Sequence, residues 1–236
     1  MKVTATNTQA KIAALALTAI AGSASAQFIQ TQVQTRTIDP RTTTVDEQLV
    51  FDGFDSSLGI LLEVQIDASA SVEAASTFEN TSNQTALATG SEISWDVDLS
   101  TSAAGLGSVL SLQASEITLL DAGSGGDTPI TLDPFDGTFD FGGASGLTLG
   151  TSDSQNAMLS LNSGLGDFTD SPVTFDFFAE TSTLTSTSGS GVAGGGTGSA
   201  GTEVTLTYIY DSPVPTPATA GLLAAGGLAA ARRRRR

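Results

Sequence analysis

Apolar and polar residues alternate strictly in several segments of this chain, and this alternation limits the fold more than any other sequence feature. Over residues 62–73, apolar side chains occupy every second position, and acidic or Ser and Gln side chains stand between them. The pattern recurs over residues 93–99, 173–177 and 204–210. Because successive residues of a strand point to opposite faces, a period of two predicts strands with one buried and one wet face.

Turn-forming clusters separate these segments, which favours several strands and few helices. They stand at Asp52-Gly53, at residues 121–127 and at Gly142-Gly143. Residues 186–201 are almost entirely Ser, Gly and Ala, which predicts a flexible hairpin loop. We therefore predict an all-β protein, an antiparallel β-sandwich of the jelly-roll-like type.

The first 26 residues have the layout of a secretory signal peptide. Lys2 and Lys11 supply positive charge, a short apolar run follows, and small residues stand at Ala24 and Ala26. This order predicts export and cleavage after Ala26 by signal peptidase. An ordinary N-terminal helix is the alternative, whereas a membrane-spanning helix needs about 20 apolar residues.

The C-terminal segment 212–236 has the composition of a short membrane anchor. Three closely spaced prolines exclude a helix at its start. Residues 218–231 are uncharged and lack a polar face, and as a helix they span roughly 21 Å of the ~30 Å hydrocarbon core. The arginines that hold the end in the cytoplasm are Arg232, Arg233, Arg234, Arg235 and Arg236. We predict a transient inner-membrane anchor rather than a soluble amphipathic helix or a nucleic-acid-binding tail.

This segment resembles the PEP-CTERM sorting signal of bacteria with exosortase systems. That signal combines a Val-Pro-x-Pro-like motif, a short hydrophobic helix and terminal arginines, and the motif here is Val214, Pro215, Thr216 and Pro217. Thr216 departs from the pattern, because the usual signal has Glu there. The resemblance implies a bacterium with an outer membrane and an exopolysaccharide-producing envelope. It also implies an exosortase-type enzyme that removes the tail during transit.

Two Phe-Asp-Gly segments, at residues 51–59 and 135–146, resemble the choice-of-anchor E domain, with a match over residues 28–211. Exported domains of that family carry different C-terminal anchoring signals. The resemblance implies a surface location and a β-sandwich, without a biochemical activity. The chain is then expected to divide into a signal peptide (1–26), an acidic ectodomain (27–211) and a sorting signal (212–236).

Residue types that most catalytic chemistry requires are missing. The chain has no His and no Cys, and no Lys follows Lys11. His-paired nucleophiles, the usual Zn sites and Schiff-base chemistry are therefore excluded from the exported domain. That domain holds 25 acidic residues and two basic ones, Arg36 and Arg41. Its negative net charge repels nucleic acid and anionic lipid. We predict that the protein is not an enzyme.

Calcium is the one cofactor for which the residues supply candidate ligands. Asp133, Asp136 and Asp140, with Asp127 nearby, offer hard oxygen ligands from a turn-rich segment. Their spacing matches no EF-hand loop, and Asp before Gly also has a structural role in turns. We predict no resident cofactor, with these aspartates as the ligands if Ca²⁺ binds.

Three functions remain for the exported domain. The first is a non-catalytic surface or matrix protein associated with extracellular polysaccharide. The second is a carbohydrate-binding module, which requires an exposed aromatic platform. The alternation predicts Trp95, Tyr208 and Tyr210 on the buried face and leaves Phe178 as the candidate. The third is a glycan hydrolase that uses two carboxylates, although no acidic pair stands out.

Overall fold

The computed structural model describes residues 28–122 and 127–212, and strands dominate both parts. The strands are β1 (Phe28–Thr42), β2 (Val45–Phe51), β3 (Ile60–Asn80), β4 (Ala86–Thr101), β5 (Gly107–Asp121), β6 (Ile130–Leu132), β7 (Gly146–Leu161), β8 (Val173–Ser188) and β9 (Val192–Ser212). Short 3₁₀ turns occupy Ser56–Leu58, Ala103–Gly105 and Leu165–Phe168. The prediction of an all-β protein is confirmed for the described residues.

The strands form two antiparallel sheets. The first sheet has the order β1-β9-β3-β7, and the second has the order β2-β8-β4-β5, with β6 paired to the start of β4. The chain passes repeatedly from one sheet to the other, so most hydrogen-bonded partner strands lie far apart in sequence. Phe28 at the start of β1, for example, pairs with Ser212 at the end of β9.

A hydrophobic core lies between the sheets and contains the residues that the alternation predicted. They are Val64, Ile66, Ala68, Ala70, Val72, Val204, Leu206, Tyr208 and Tyr210 from the first sheet, and Ile93, Trp95, Val97, Leu99, Val173, Phe175 and Phe177 from the second. Their joint burial confirms an antiparallel, sandwich-like fold. The prediction that Leu62 points inward is wrong. The register between β3 and β9 shifts between Leu61 and Glu63, and this shift leaves Leu62 37% exposed.

The prediction of a flexible loop over residues 186–201 is also wrong. Strand β8 continues to Ser188 and β9 begins at Val192, so most of this segment is paired sheet. The glycines at every second position of β9 face threonines of β8 across the interior. A Cβ added to Gly196 would stand 2.5 Å from the Cβ of Thr183, and one added to Gly198 would stand 2.8 Å from that of Thr181. Glycine is present because the two sheets approach too closely for a side chain.

Candidate functional site

The outer face of the second sheet carries five carboxylates around one exposed aromatic ring. We call this surface the acidic face, and it consists of Asp46, Asp96, Asp98, Asp176, Phe178 and Glu180. It occurs because successive residues of a strand alternate between the two faces, so that β2, β8 and β4 direct most of their apolar side chains inward and these five acidic ones outward. Three strands that are distant in sequence therefore contribute to one surface.

Phe178 lies in the centre of the acidic face. Its neighbour Phe177 is fully buried in the core, whereas Phe178 points to the opposite side of β8 and is 36% exposed. Asp46 of β2 pairs with it on one side, and Asp98 of β4 pairs with it on the other. Directly opposed residues of an antiparallel pair have Cβ atoms roughly 5 Å apart. The exposed ring is thus flanked by a carboxylate on each neighbouring strand.

Neutral side chains orient three of the carboxylates. Gln48 Nε2 donates to Asp176 Oδ1 at 2.7 Å, Gln113 Nε2 donates to Asp96 Oδ1 at 3.0 Å, and Ser108 Oγ donates to Asp98 Oδ1 at 2.5 Å. These donors hold the carboxylates in place without neutralising them. The negative charge of the face therefore remains available to a partner.

Arg36 and Arg41, the two basic residues between positions 28 and 212, are both engaged elsewhere. The guanidinium of Arg36 lies 5.5 Å from the centre of the Phe51 ring, and its Nε donates to the carbonyl of Val50 at 3.2 Å. Arg41 forms an ion pair with Glu47. Because Glu47 and the buried Phe51 both point to the inner side of β2, neither arginine is placed to compensate the acidic face.

Sequence reasoning missed a second set of exposed rings, in the segment between β6 and β7. Phe135 is 38% exposed and Phe139 is 55% exposed, and Phe139 makes an edge-on contact with Phe141 at 4.9 Å between ring centres. The buried Glu79 anchors the segment, since its carboxylate accepts from the Phe141 amide at 2.8 Å and from Ser145 Oγ at 2.9 Å. The sequence signal that could have indicated these exposed rings is the presence of three Phe residues in one segment rich in Asp and Gly.

The aspartates proposed as calcium ligands make local turn contacts. Asp136 Oδ1 accepts from the Thr138 amide and Asp140 Oδ1 accepts from the Gly142 amide, both at 2.8 Å. The backbone amide of Asp133 donates to Ala144 at 2.9 Å, and Asp127 Oδ2 accepts from the Asp121 amide at 2.9 Å. Within residues 28–122 and 127–212, no three acidic side chains converge as a metal site would require. The absence of a resident cofactor stays a prediction, and Ca²⁺ binding by these aspartates stays its alternative.

The terminal signals lie outside the described residues. This applies to the cleavage residues Ala24 and Ala26, to the motif at 214–217 and to the arginines at 232–236. Among the residues that the structure does describe, no helix has the length and apolar character to cross a membrane. Export, tail processing and anchoring therefore rest on the sequence.

Comparison with known proteins identifies no family for this chain. No protein-family model matches it, and no curated protein matches it. Among solved structures, that of the infectious bursal disease virus Gx strain is similar with 14% identity and a TM-score of 0.21, and that of the Gt strain with 16% identity and a TM-score of 0.20. The matches cover 77% and 76% of this chain but only 37% and 38% of the viral chains. At these TM-scores the likeness carries no functional argument, and the chain is assigned to no family.

Proposed function

We propose that this chain is an exported, non-catalytic protein of a Gram-negative-type cell envelope, sorted by an exosortase and associated with extracellular polysaccharide. The observation that carries the proposal is the C-terminal order of prolines, uncharged apolar residues and five arginines. The N-terminal signal-peptide layout agrees with it. The partners are the export machinery, signal peptidase and the exosortase-type enzyme, with transient anchoring in the inner membrane before release to the surface or medium.

The strand-rich region between these signals supports a jelly-roll-like ectodomain as part of the proposal. In a jelly roll, two four-stranded sheets are built by a chain that alternates between them, and the last strand inserts beside the first. The orders β1-β9-β3-β7 and β2-β8-β4-β5 agree with that arrangement. A rigid sandwich with a strongly acidic surface suits a soluble component of a hydrated matrix.

The C-terminal peptide of the protein recovered from cells tests the sorting proposal. Mass spectrometry of the wild type is expected to find no peptide that contains the arginines at 232–236 in cells with a working exosortase. A matched variant with Pro215→Ala and Pro217→Ala is expected to keep them and to remain in the inner membrane. Wild-type protein that reaches the surface with its arginines attached would overturn the proposal.

A carbohydrate-binding module is the second candidate, and the exposed ring of Phe178 favours it. A glycan array probed with the wild type and with Phe178→Ala tests this function. A glycan that the wild type binds and the variant loses supports it, and an array without any signal opposes it. Hydrolysis of any polysaccharide in a broad panel would instead contradict the non-catalytic assignment and favour a carboxylate-based hydrolase.

A further inference from the structure

We propose that the acidic face binds a polysaccharide that carries free amino groups. The proposal rests on the polysaccharide association proposed above and names the chemical class of the glycan. The surface is an outer sheet face formed by β2, β8 and β4, and its occupant follows from the charges and the ring that it displays.

The negative charges of the acidic face attract a cationic partner. Asp96 of β4 pairs directly with Glu180 of β8, and like charges in directly opposed positions destabilise a sheet. Asp176 and Asp46 add further negative charge within the same few strands. A bound cation relieves this repulsion, whereas a neutral or anionic glycan does not. Protonated amino groups supply that complement.

The central ring distinguishes this surface from a simple acidic patch. The face of an aromatic ring carries partial negative charge and attracts ammonium groups and the C–H faces of sugars. Phe178 offers such a ring between Asp46 and Asp98, so a sugar stacked on it has carboxylates on both sides. An amino sugar satisfies both features in one residue, because its ring stacks while its ammonium pairs with a carboxylate.

The layout of the face suits a polymer rather than a single ion. Asp46, Phe178 and Asp98 form one row across three strands, and neighbouring strands lie ~4.8 Å apart. That spacing is comparable to the length of one hexose residue, so successive residues of a chain along the row meet successive strands. Glu180 with Asp96 forms the adjacent row along the strands. The longer row therefore offers contacts to about three successive sugar residues of a chain.

The outer face of the first sheet provides a matched contrast. Its central rows pair Ser69 with Glu203 and Asp67 with Thr205, and the exposed Met158 stands opposite Asp67. This face has carboxylates and the exposed apolar side chains of Met158 and Ile29, but no ring at its centre. Substitutions there change the same net charge and remove a similar apolar surface without touching the proposed site.

Calorimetric titration of the purified full-length protein tests the proposal. The probe is a hexamer of β-1,4-linked glucosamine, and its N-acetylated counterpart is the control ligand. The glucosamine hexamer is expected to bind, and its affinity is expected to fall with salt because the partners are charged. Phe178→Ala and the double variant Asp46→Asn/Asp98→Asn are each expected to weaken binding about tenfold or more. Met158→Ala and Asp67→Asn/Glu203→Gln are expected to change it less than about twofold.

Three results would overturn the proposal. The first is no binding of the glucosamine hexamer, and the second is equal binding of the acetylated hexamer. The third is an equal response of oligolysine to Phe178→Ala, which would show that the face recognises cationic peptides rather than amino sugars. Because the assay uses purified protein, its outcome is independent of tail processing. Retention of the C-terminal arginines in cells would contradict the sorting proposal and leave this binding unaffected.

Discussion

The side-chain amide of Gln34 forms two hydrogen bonds with the backbone of Asp52. Its Nε2 donates to the carbonyl of Asp52 at 2.8 Å, and its Oε1 accepts from the amide of Asp52 at 3.0 Å. Gln34 belongs to β1 of the first sheet, and Asp52 directly follows β2 of the second. The side chain of Gln34 therefore forms the hydrogen bonds that a neighbouring strand would otherwise form with the backbone of Asp52. These two bonds join the two sheets at this edge.

Replacing Gln34 with Leu is expected to lower the free energy of unfolding by about 2–3 kcal/mol. The amide of Asp52 loses its hydrogen-bond partner in a part-buried place, and unsatisfied buried groups of this kind carry about that penalty. Urea denaturation measures the change. Gln48→Leu is the control, because Gln48 donates to an exposed carboxylate, and it is expected to change stability by less than about 0.5 kcal/mol. Equal losses in both variants would contradict a structural role for the Gln34 pair.

The stability of the protein is expected to fall at high pH because of Tyr208. Burial, together with the charge of Asp52, raises the pKa of Tyr208 from 10.0 to about 12. The folded state thus favours the neutral phenol, whose hydroxyl donates to the Asp52 carbonyl at 2.9 Å. This stabilisation is complete below pH 10 and is lost as the pH rises through about 12, a change of about 2–3 kcal/mol.

Urea denaturation between pH 9 and pH 12 measures this dependence, and Tyr208→Phe is the informative variant. Its phenyl ring keeps the core packing and cannot ionise, so its stability is expected to decline much less over the same pH interval. Tyr208 and Tyr210 are the two tyrosines of the sequence, so tyrosinate absorbance of the Tyr210→Phe variant reports Tyr208 alone. A Tyr208 titration midpoint near 10 in the folded protein would refute the assignment.

Gly196→Ala is expected to destabilise the protein by about 3 kcal/mol or more, because the added methyl group overlaps the side chain of Thr183 across the sandwich. The double variant with Thr183→Gly removes that overlap and is expected to recover part of the loss. Gly166→Ala is the control, since a Cβ there meets no atom within 4 Å among the described residues. Thermal and urea unfolding compare the three variants with the wild type. A neutral Gly196→Ala would show that the sheets are farther apart than the structure indicates.

Glu180→Lys is expected to stabilise the protein by about 0.5–1 kcal/mol. The change replaces a repulsive pair with an attractive one, because Glu180 lies directly opposite Asp96. The gain is expected to shrink in 1 M salt, where the screening length is about 3 Å. Asp153→Lys changes the net charge equally but lies opposite Val72, so it separates the local pair from general charge reduction. Equal gains in both variants would contradict the pairwise explanation.

Strand positions and their buried faces were predictable at most positions of the segments whose two faces had different chemistry. The alternation correctly placed Trp95, Tyr208 and Tyr210 in the core and Phe178 on the surface, because side-chain direction within a strand is a local property. It failed at Leu62, where a register shift with β9 changes the face. Such a shift depends on the partner strand and leaves no signal in the strand itself.

The strand-rich fold, the strong negative charge and the missing reactive residue types follow from composition and from the period of two, so the order of amino acids was enough to predict them. The strand at the glycine-rich residues 192–201 could be explained from the tertiary fold alone, because the close approach of β8 leaves no room for larger side chains there. The tertiary fold also decided that Asp46 and Asp98 flank Phe178. These residues come from three strands far apart in the chain, and their meeting depends on non-local strand pairing, which a local pattern does not encode.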